Sequence, residues 1–225
     1  MTQSQIYIYG IDLGKNWFHL VAMDRMGHVL TKQKLTRSQL KQFISTTPPC
    51  RVAFEACLGS QYWGRLFQQA GFEPKIIPAQ FVKPYLKSNK NDFNDATAIA
   101  EAGSRGTMRC VPLKSHEQLA LQATHRVRQR FIIERTATVN QMRALLLEYG
   151  LTVPVGRKVF ERALPAILED AENGLPDFIR ALVLRLRERW QQLDIQIDEM
   201  SLMLGQASSA SNLCQKVSTV PGIGP

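Results

Sequence analysis

Cysteine is sparse in this chain, and its four cysteines are widely separated. Cys50, Cys57, Cys110 and Cys214 form no C-x-x-C pair, the spacing that structural zinc sites commonly use. The sequence therefore argues against a zinc site and predicts reduced thiols, as in proteins of the cytosol. We expect Cys57 to be a small buried residue, because no activating base is evident beside it.

Long apolar runs are also missing. No apolar stretch approaches the roughly 20 residues that a membrane-spanning helix requires, and residues 1–7 lack the basic segment and apolar core of a signal peptide. These absences predict a soluble, cytoplasmic protein that does not associate with membranes.

Negative charge is scarce relative to positive charge. The chain has 28 lysines and arginines against 19 acidic residues, which gives a formal net charge of +9. Such a basic balance favours a polyanionic partner, and nucleic acid is the commonest one. The hydrophobic content of 44% is enough for a folded core, so wholesale disorder is not expected.

The first hundred residues have the pattern of an α/β domain. Five apolar runs predict strands, at residues 6–12, 18–23, 28–35, 51–54 and 74–77. Other segments predict helices, at residues 60–70 and 92–103 and after a cap at Ser38. Three consecutive strands form an antiparallel meander and later strands join through helical crossovers, which predicts a mixed sheet of RNase H topology.

From Ser115 onward the pattern becomes entirely helical. A first long helix, 115–149, has an apolar stripe at Ile132, Val139, Met142, Leu146 and Tyr149. A second, from Pro176 to about residue 204, has a stripe at Ile179, Val183, Leu186, Trp190, Leu193 and Ile197. Two long amphipathic helices with a short insert between them predict an antiparallel, coiled-coil-like hairpin.

These patterns predict three domains. Residues 1–112 would form the RNase H-like domain, 113–212 the helical hairpin, and 213–225 the start of a further domain. The final Gly-Ile-Gly motif is of the kind that links two helices or contacts a phosphate backbone. We therefore interpret the chain as truncated within that further domain.

Four carboxylates stand where an α/β domain would bring them together. Asp12 and Glu55 each follow an apolar strand, a position where an unpaired buried charge would be costly. They converge if the first and fourth strands are neighbours. Asp92 and Asp95 are spaced i, i+3 at a helix start and so share one face, although Asp92 alone could be a helix N-cap.

Four clustered carboxylates repel one another unless cations neutralise them. Mg²⁺ or Mn²⁺ suits such an oxygen-rich site. Two such ions can activate a water or hydroxyl and stabilise the leaving oxygen when a phosphodiester is attacked. The spacing thus predicts a catalytic metal site formed by Asp12, Glu55, Asp92 and Asp95, with scattered surface acids as the alternative.

Basic residues flank this site and line the first long helix. Those that we expect to bind nucleic acid are Lys15, Lys87, Lys90, Arg126, Arg128, Arg130, Arg135 and Arg143. The alternative is an ordinary solvated helix face. The four histidines, His19, His28, His116 and His125, are scattered, and we interpret all of them as structural or surface residues.

Several short motifs in order resemble the DEDD-type insertion-sequence transposases. They are Gly10-Ile-Asp-Leu-Gly-Lys15, Phe54-Glu-Ala56, Lys90-Asn-Asp-Phe-Asn-Asp-Ala96, Asn140-Gln-Met-Arg143 and Val220-Pro-Gly-Ile-Gly-Pro225. The resemblance implies a RuvC-like first domain with Asp12, Glu55, Asp92 and Asp95 as the quartet, then a coiled-coil middle. It also implies DNA as substrate, a structured guide RNA, a homo-oligomer, and a serine-bearing C-terminal domain beyond residue 225.

Three other functions remain open from the sequence. A nuclease that resolves branched DNA could use the same fold, but without the long hairpin. The stretch Ile11-Asp-Leu-Gly14 resembles the first phosphate loop of actin-like sugar kinases, which also need a second glycine-rich loop and a longer chain. The third is a truncated, non-catalytic remnant that binds nucleic acid or a full-length relative.

Overall fold

The structure is a computed structural model that describes residues 6–87 and 91–223. Lys90, one of the predicted nucleic-acid-binding residues, lies outside the described residues. The chain divides into two compact units, Met1–Ser115 and His116–Pro225. Residues 213–223 belong to the second unit, and their assignment to a further domain stays a prediction.

The first unit is built on a mixed five-stranded sheet. Its strands are β1 Ile8–Leu13, β2 Trp17–Met23, β3 Val29–Thr36, β4 Arg51–Glu55 and β5 Glu73–Ile77. The sheet order is β3-β2-β1-β4-β5. The pairs β1–β2 and β2–β3 are antiparallel, whereas β1–β4 and β4–β5 are parallel. The predicted antiparallel meander with later parallel strands, and with it the RNase H-like fold class, is confirmed.

Helices cover both faces of this sheet. They are α1 Arg37–Thr46, α2 Ser60–Gln69, α3 Ala79–Val82, a 3-10 turn at Lys83–Tyr85, and α4 Asp92–Ser104. The predicted cap at Ser38 is wrong, because Thr36 is the N-cap of α1. Its hydroxyl accepts a hydrogen bond from the Gln39 amide, and the Gln39 side chain accepts one from the Thr36 amide.

Side chains alternate between the two faces of the sheet, and each face has its own hydrophobic core. Ile11 and Phe54 point toward α1 and α2, where they join Trp63 and Phe67. The intervening positions of β1 and β4 point toward α4. That helix lies very close to β1, because a Cβ at Gly10 would clash with the Ala96 carbonyl oxygen. A glycine on β1 therefore sets how near α4 comes to the sheet.

The second unit is helical. Its helices are α5 His116–Leu147, α6 Arg157–Glu169, α7 Asp177–Ser209 and α8 Asn212–Val217. Contacts from α5 to α7 run in opposite chain directions: Arg128 meets Ser201, and Arg135 meets Asp194. The two long helices are therefore antiparallel, as predicted. Within the described part of the chain, no helix combines the length and apolar character needed to cross a membrane.

The predicted apolar stripes form most of the core between α5, α6 and α7. Val139, Met142, Leu146 and Trp190 are all buried in it. Tyr149 was expected in the same stripe, but this prediction is wrong: α5 ends at Leu147 and Tyr149 is 40% exposed. The helical periodicity on which that prediction relied stops two residues before the tyrosine.

Candidate functional site

The sheet topology brings Asp12 and Glu55 to one edge. Asp12 lies near the C-terminal end of β1, and Glu55 is the last residue of β4. The two strands are parallel neighbours, with Ile11 opposite Phe54. Since side chains alternate along a strand, both carboxylates lie on the face that α4 covers.

Helix α4 supplies the other two carboxylates from its first turn. Asp92 and Asp95 both lie there, where the positive end of the helix dipole favours negative charge. The N-cap is Asn91, whose side chain accepts a hydrogen bond of 3.0 Å from the Phe93 amide. Asp92 is therefore not the cap, and the reading that explained it as one is wrong.

The four carboxylates interact electrostatically. The pKa of Asp12 is raised by its burial, and then by the charges of Asp95, Asp92 and Glu55. The pKa of Glu55 is raised by burial and by Asp95. Acids whose pKa is raised by burial and by neighbouring carboxylates, as for Asp12 and Glu55, are stabilised in the charged form when a cation binds beside them. An oxygen-rich donor set of this kind fits Mg²⁺ or Mn²⁺.

A buried histidine also belongs to this cluster. The Nδ1 atom of His19 lies 3.5 Å from Asp92 Oδ2 and 3.9 Å from Asp12 Oδ2. Together the three residues place one potential ligand atom each within 4.8 Å of one another. The sequence alone indicates a structural or surface residue at His19 and does not predict this place among possible metal ligands. The strand register, with His19 directly opposite Asp12, is the signal that sequence reasoning lacked.

Two basic side chains on β3 lie on the same face of the sheet as the carboxylates. His19 lies opposite Asp12 on one side and opposite Lys34 on the other, and directly paired residues share a face. The ammonium group of Lys34 is 4.8 Å from the ring centre of Trp17, and that of Lys32 is 6.0 Å from the ring centre of Phe93. Sequence reasoning missed both lysines.

The basic residues predicted in the first unit differ in their contacts. Lys15 is exposed in the turn between β1 and β2, where it lines a recess with Arg37 and Lys41. Lys87 forms an ion pair of 2.8 Å with Glu101.

Three of the predicted helical arginines already have partners in the second unit. Arg128 donates a hydrogen bond to the Ser201 hydroxyl, and Arg135 forms an ion pair of 2.8 Å with Asp194. Arg143 donates to three backbone carbonyls, those of Val153, Pro154 and Gly156. These contacts give the three arginines a structural role, and their binding to nucleic acid stays a prediction.

Arg126 and Arg130 differ from those three arginines. Both side chains are exposed on α5, one turn apart. They are thus accessible to a phosphate backbone, and their contact with nucleic acid also stays a prediction.

Cys57 follows the Glu55 strand end and was expected to be buried. The residue is exposed, so that prediction is wrong. Partial burial of its thiol, together with the charges of Glu55 and Asp12, raises the thiol pKa. A raised pKa leaves less thiolate at neutral pH, so Cys57 lacks the character of an activated nucleophile.

Comparison with known proteins identifies relatives of this chain. The model of a family described as transposase, of the DEDD type named for IS110, matches residues 9–151. The chain is 42% identical to the transposase for insertion sequence element IS1328 of Yersinia enterocolitica, over 97% of this chain and 65% of that protein. It is 38% identical to the transposase for insertion sequence element IS1111A of Coxiella burnetii, over 99% of this chain and 61% of that protein.

The chain thus spans less than two thirds of the length of these two relatives. The family match covers more than half of the chain and includes the positions of all four carboxylates. It also removes the sugar-kinase alternative. The chain belongs to the DEDD transposase family of the IS110 type.

Proposed function

We propose that this chain supplies the divalent-metal carboxylate site of an insertion-sequence transposase and acts on DNA phosphodiester bonds. One observation carries the proposal: Asp12, Glu55, Asp92 and Asp95 converge at the C-terminal ends of β1 and β4. The charges of the other three carboxylates there raise the pKa of Asp12. The names of the two relatives, both transposases for insertion sequence elements, support DNA as the substrate.

The carboxylates would hold Mg²⁺ or Mn²⁺. When bound, such ions polarise a phosphodiester and help to activate the attacking oxygen. Asp12 and Glu55 sit on rigid strand ends, so they fix the position of the site relative to the sheet. Asp92 and Asp95 sit on one helical turn, so a shift of α4 would move both together.

The same unit offers an approach for the DNA backbone. Lys34 and Lys32 lie on the sheet face of the carboxylates, and Lys15 is exposed in the nearby β1–β2 turn. Trp17 is 48% exposed beside Lys34, and an exposed indole can stack on an unpaired base. Lysine and aromatic side chains side by side suit a single-stranded segment that leads to the metal site.

A structured guide RNA and a homo-oligomer are further parts of the proposal. The net charge of +9 supports an RNA partner as well as DNA. Large apolar side chains on the outside of the hairpin support self-association, because Ile133, Ile195 and Leu202 are each at least 60% exposed. Tighter, salt-dependent binding of the element's own structured RNA than of a random RNA would test the first part.

The metal site is tested by measuring Mg²⁺ and Mn²⁺ binding calorimetrically, and then metal-dependent cleavage or joining of DNA. Asp12→Asn should weaken metal binding by at least about tenfold, since it removes a charged ligand. Asp95→Asn should do the same from the helix side of the site. Asp198→Asn is the matched control, because Asp198 is an exposed aspartate on α7 in the other unit.

Unchanged metal binding in Asp12→Asn would show that the site is assigned wrongly. Metal binding without any cutting or joining of DNA would instead favour the non-catalytic, nucleic-acid-binding alternative. Cleavage confined to branched DNA would favour a resolving nuclease.

A further inference from the structure

His19 is a buried polar side chain aimed into the carboxylate cluster. It is 7% exposed, and it lies near the start of β2, directly opposite Asp12. Its ring meets the edge of Phe93 at a centroid distance of 4.9 Å and an angle of 80°. Phe93 comes from the same helical turn as Asp92, so the imidazole is held between the sheet and α4.

The distances around His19 Nδ1 are too long for hydrogen bonds. They are 3.5 Å to Asp92 Oδ2 and 3.9 Å to Asp12 Oδ2, whereas an N–H···O hydrogen bond is about 2.7–3.2 Å long. Two carboxylates and an imidazole therefore face one another across a gap that no direct bond closes.

That gap has the dimensions of a coordination site. An octahedral ion with ligands at about 2.1 Å places neighbouring ligand atoms roughly 3.0 Å apart and opposite ones roughly 4.2 Å apart. The potential ligand atoms of Asp12, His19 and Asp92 all lie within 4.8 Å of one another. Small side-chain movements are enough for one ion to contact all three.

We infer that His19 Nδ1 is a direct ligand of the divalent ion held by Asp12 and Asp92, and that it shifts the preference of the site toward Mn²⁺. This inference rests on the proposed metal site and adds a nitrogen atom to its ligands. Mg²⁺ strongly prefers oxygen ligands and water, whereas transition-metal ions accept imidazole readily. A site with one buried imidazole therefore discriminates between the two ions more than an all-carboxylate site does.

The test is pulsed electron paramagnetic resonance of Mn²⁺ bound to the full chain. Electron spin echo envelope modulation detects the nuclear spin of a nitrogen atom that is bound directly to the ion. The wild type should show this coupling, and His19→Gln should lose it. In calorimetry, His19→Gln should lower the ratio of Mn²⁺ to Mg²⁺ affinity by about tenfold or more, the size of effect seen even for residues outside the ligand set.

His28 provides the matched control. It also lies near an aspartate, with Nδ1 3.1 Å from Asp24 Oδ2, but it is exposed in the turn between β2 and β3. His28→Gln should keep both the nitrogen coupling and the Mn²⁺ preference. If His19→Gln does not fold, wild-type chain grown with histidine carrying the heavy nitrogen isotope must show the altered coupling of a bound imidazole.

Two outcomes would overturn the inference, and they can be told apart. If Mn²⁺ binds the wild type without nitrogen coupling, or if His19→Gln keeps the coupling, His19 is not a ligand while the metal site stands. If neither ion binds the wild type, the proposed metal site itself is wrong and the ligand assignment falls with it.

Discussion

Asp12 is held in an environment that disfavours its charged form. Burial is the largest cause, and the neighbouring charges of Asp95 and Asp92 add to it, so its pKa lies above the usual 3.8. In the unfolded chain these neighbours are dispersed and the group titrates normally. The folded state of the metal-free chain therefore loses stability when Asp12 ionises, and a bound cation would remove this loss.

This difference predicts a specific dependence of stability on pH. Above the raised folded-state pKa, Asp12 is ionised in both states, and the folded state carries the full unfavourable effect. As the pH falls through that pKa toward 3.8, the folded state binds a proton first and the effect disappears. Metal-free Asp12→Asn should therefore be more stable than wild type at pH 7, by about 0.5–1 kcal/mol given the partial exposure of the group.

Urea unfolding of both chains across this pH range gives the measurement. The difference between them should shrink toward pH 3.8, and Mg²⁺ should reverse its sign, because the ion binds the wild type more tightly and so stabilises it more. A difference that is constant with pH would show that Asp12 is not ionised against its neighbours.

Arg143 tests whether a predicted nucleic-acid-binding arginine is structural. Its guanidinium donates to three carbonyls beyond the end of α5 and lies 4.7 Å from the ring centre of Phe160. Lysine keeps the charge but cannot reproduce this planar set of donors. Arg143→Lys should therefore lower the free energy of unfolding by about 2 kcal/mol, whereas Arg126→Lys should leave it unchanged.

Thermal and urea unfolding monitored by circular dichroism would measure both changes. If Arg143→Lys is as stable as the wild type but binds nucleic acid more weakly, Arg143 is a nucleic-acid-binding residue, as the sequence predicted.

At the scale of elements, the position of α4 on β1 determines the geometry of the site. A Cβ at Gly10 would clash with the carbonyl of Ala96 and lie 2.5 Å from the amide nitrogen of Ala100. Both atoms belong to the α4 backbone, which cannot rotate away as a side chain could. Since Asp92 and Asp95 are on the same helix, any movement of α4 changes their distance from Asp12.

Gly10→Ala should therefore reduce both stability and metal affinity. Overpacking of this kind costs about 1–3 kcal/mol, and displacement of the two α4 carboxylates should weaken Mn²⁺ binding as well. Gly106→Ala is the control, because a Cβ there meets nothing within 4 Å. Calorimetric titration with Mn²⁺ and urea unfolding measure the two effects. Unchanged metal affinity in a destabilised Gly10→Ala would show that the position of α4 does not control metal binding.

The elements that sequence predicted best are those with a local cause. Apolar runs that end in an acid placed Asp12 and Glu55 at strand ends, and the i, i+3 spacing placed Asp92 and Asp95 on one helical turn. His19 was missed because a histidine inside an alternating strand is locally indistinguishable from any outward polar residue. Its place beside Asp12 depends on pairing register, which is a property of two strands.

Ion pairs between residues far apart in the chain also could not be predicted from the sequence. The ion pair of Arg135 with Asp194 joins residues 59 positions apart. From sequence, that arginine has the same appearance as the exposed Arg126 on the same helix. Helical periodicity predicted which long helices pack together. It could not predict which charged side chains form ion pairs between those helices.

At the scale of the whole molecule, a net charge of +9 predicts binding to DNA that weakens steeply with salt. The slope of log K against log salt counts the phosphates that cationic side chains neutralise. Lys32 and Lys34 lie on the sheet face of the carboxylates, so we expect both to contribute to that slope. Each lysine lost should reduce its magnitude by about 0.7 for a single strand and about 0.9 for a duplex.

Fluorescence anisotropy of a labelled single-stranded DNA, titrated between about 50 and 200 mM salt, measures this slope. Lys32→Gln with Lys34→Gln should lower it by about 1.4 while leaving Mn²⁺ binding unchanged, because neither lysine is a ligand. Lys158→Gln controls for the simple loss of positive charge, since Lys158 is an exposed lysine on α6. An equal decrease in the slope per charge at all three positions would mean that DNA responds to the overall charge of the chain and follows no path across the β2–β3 face.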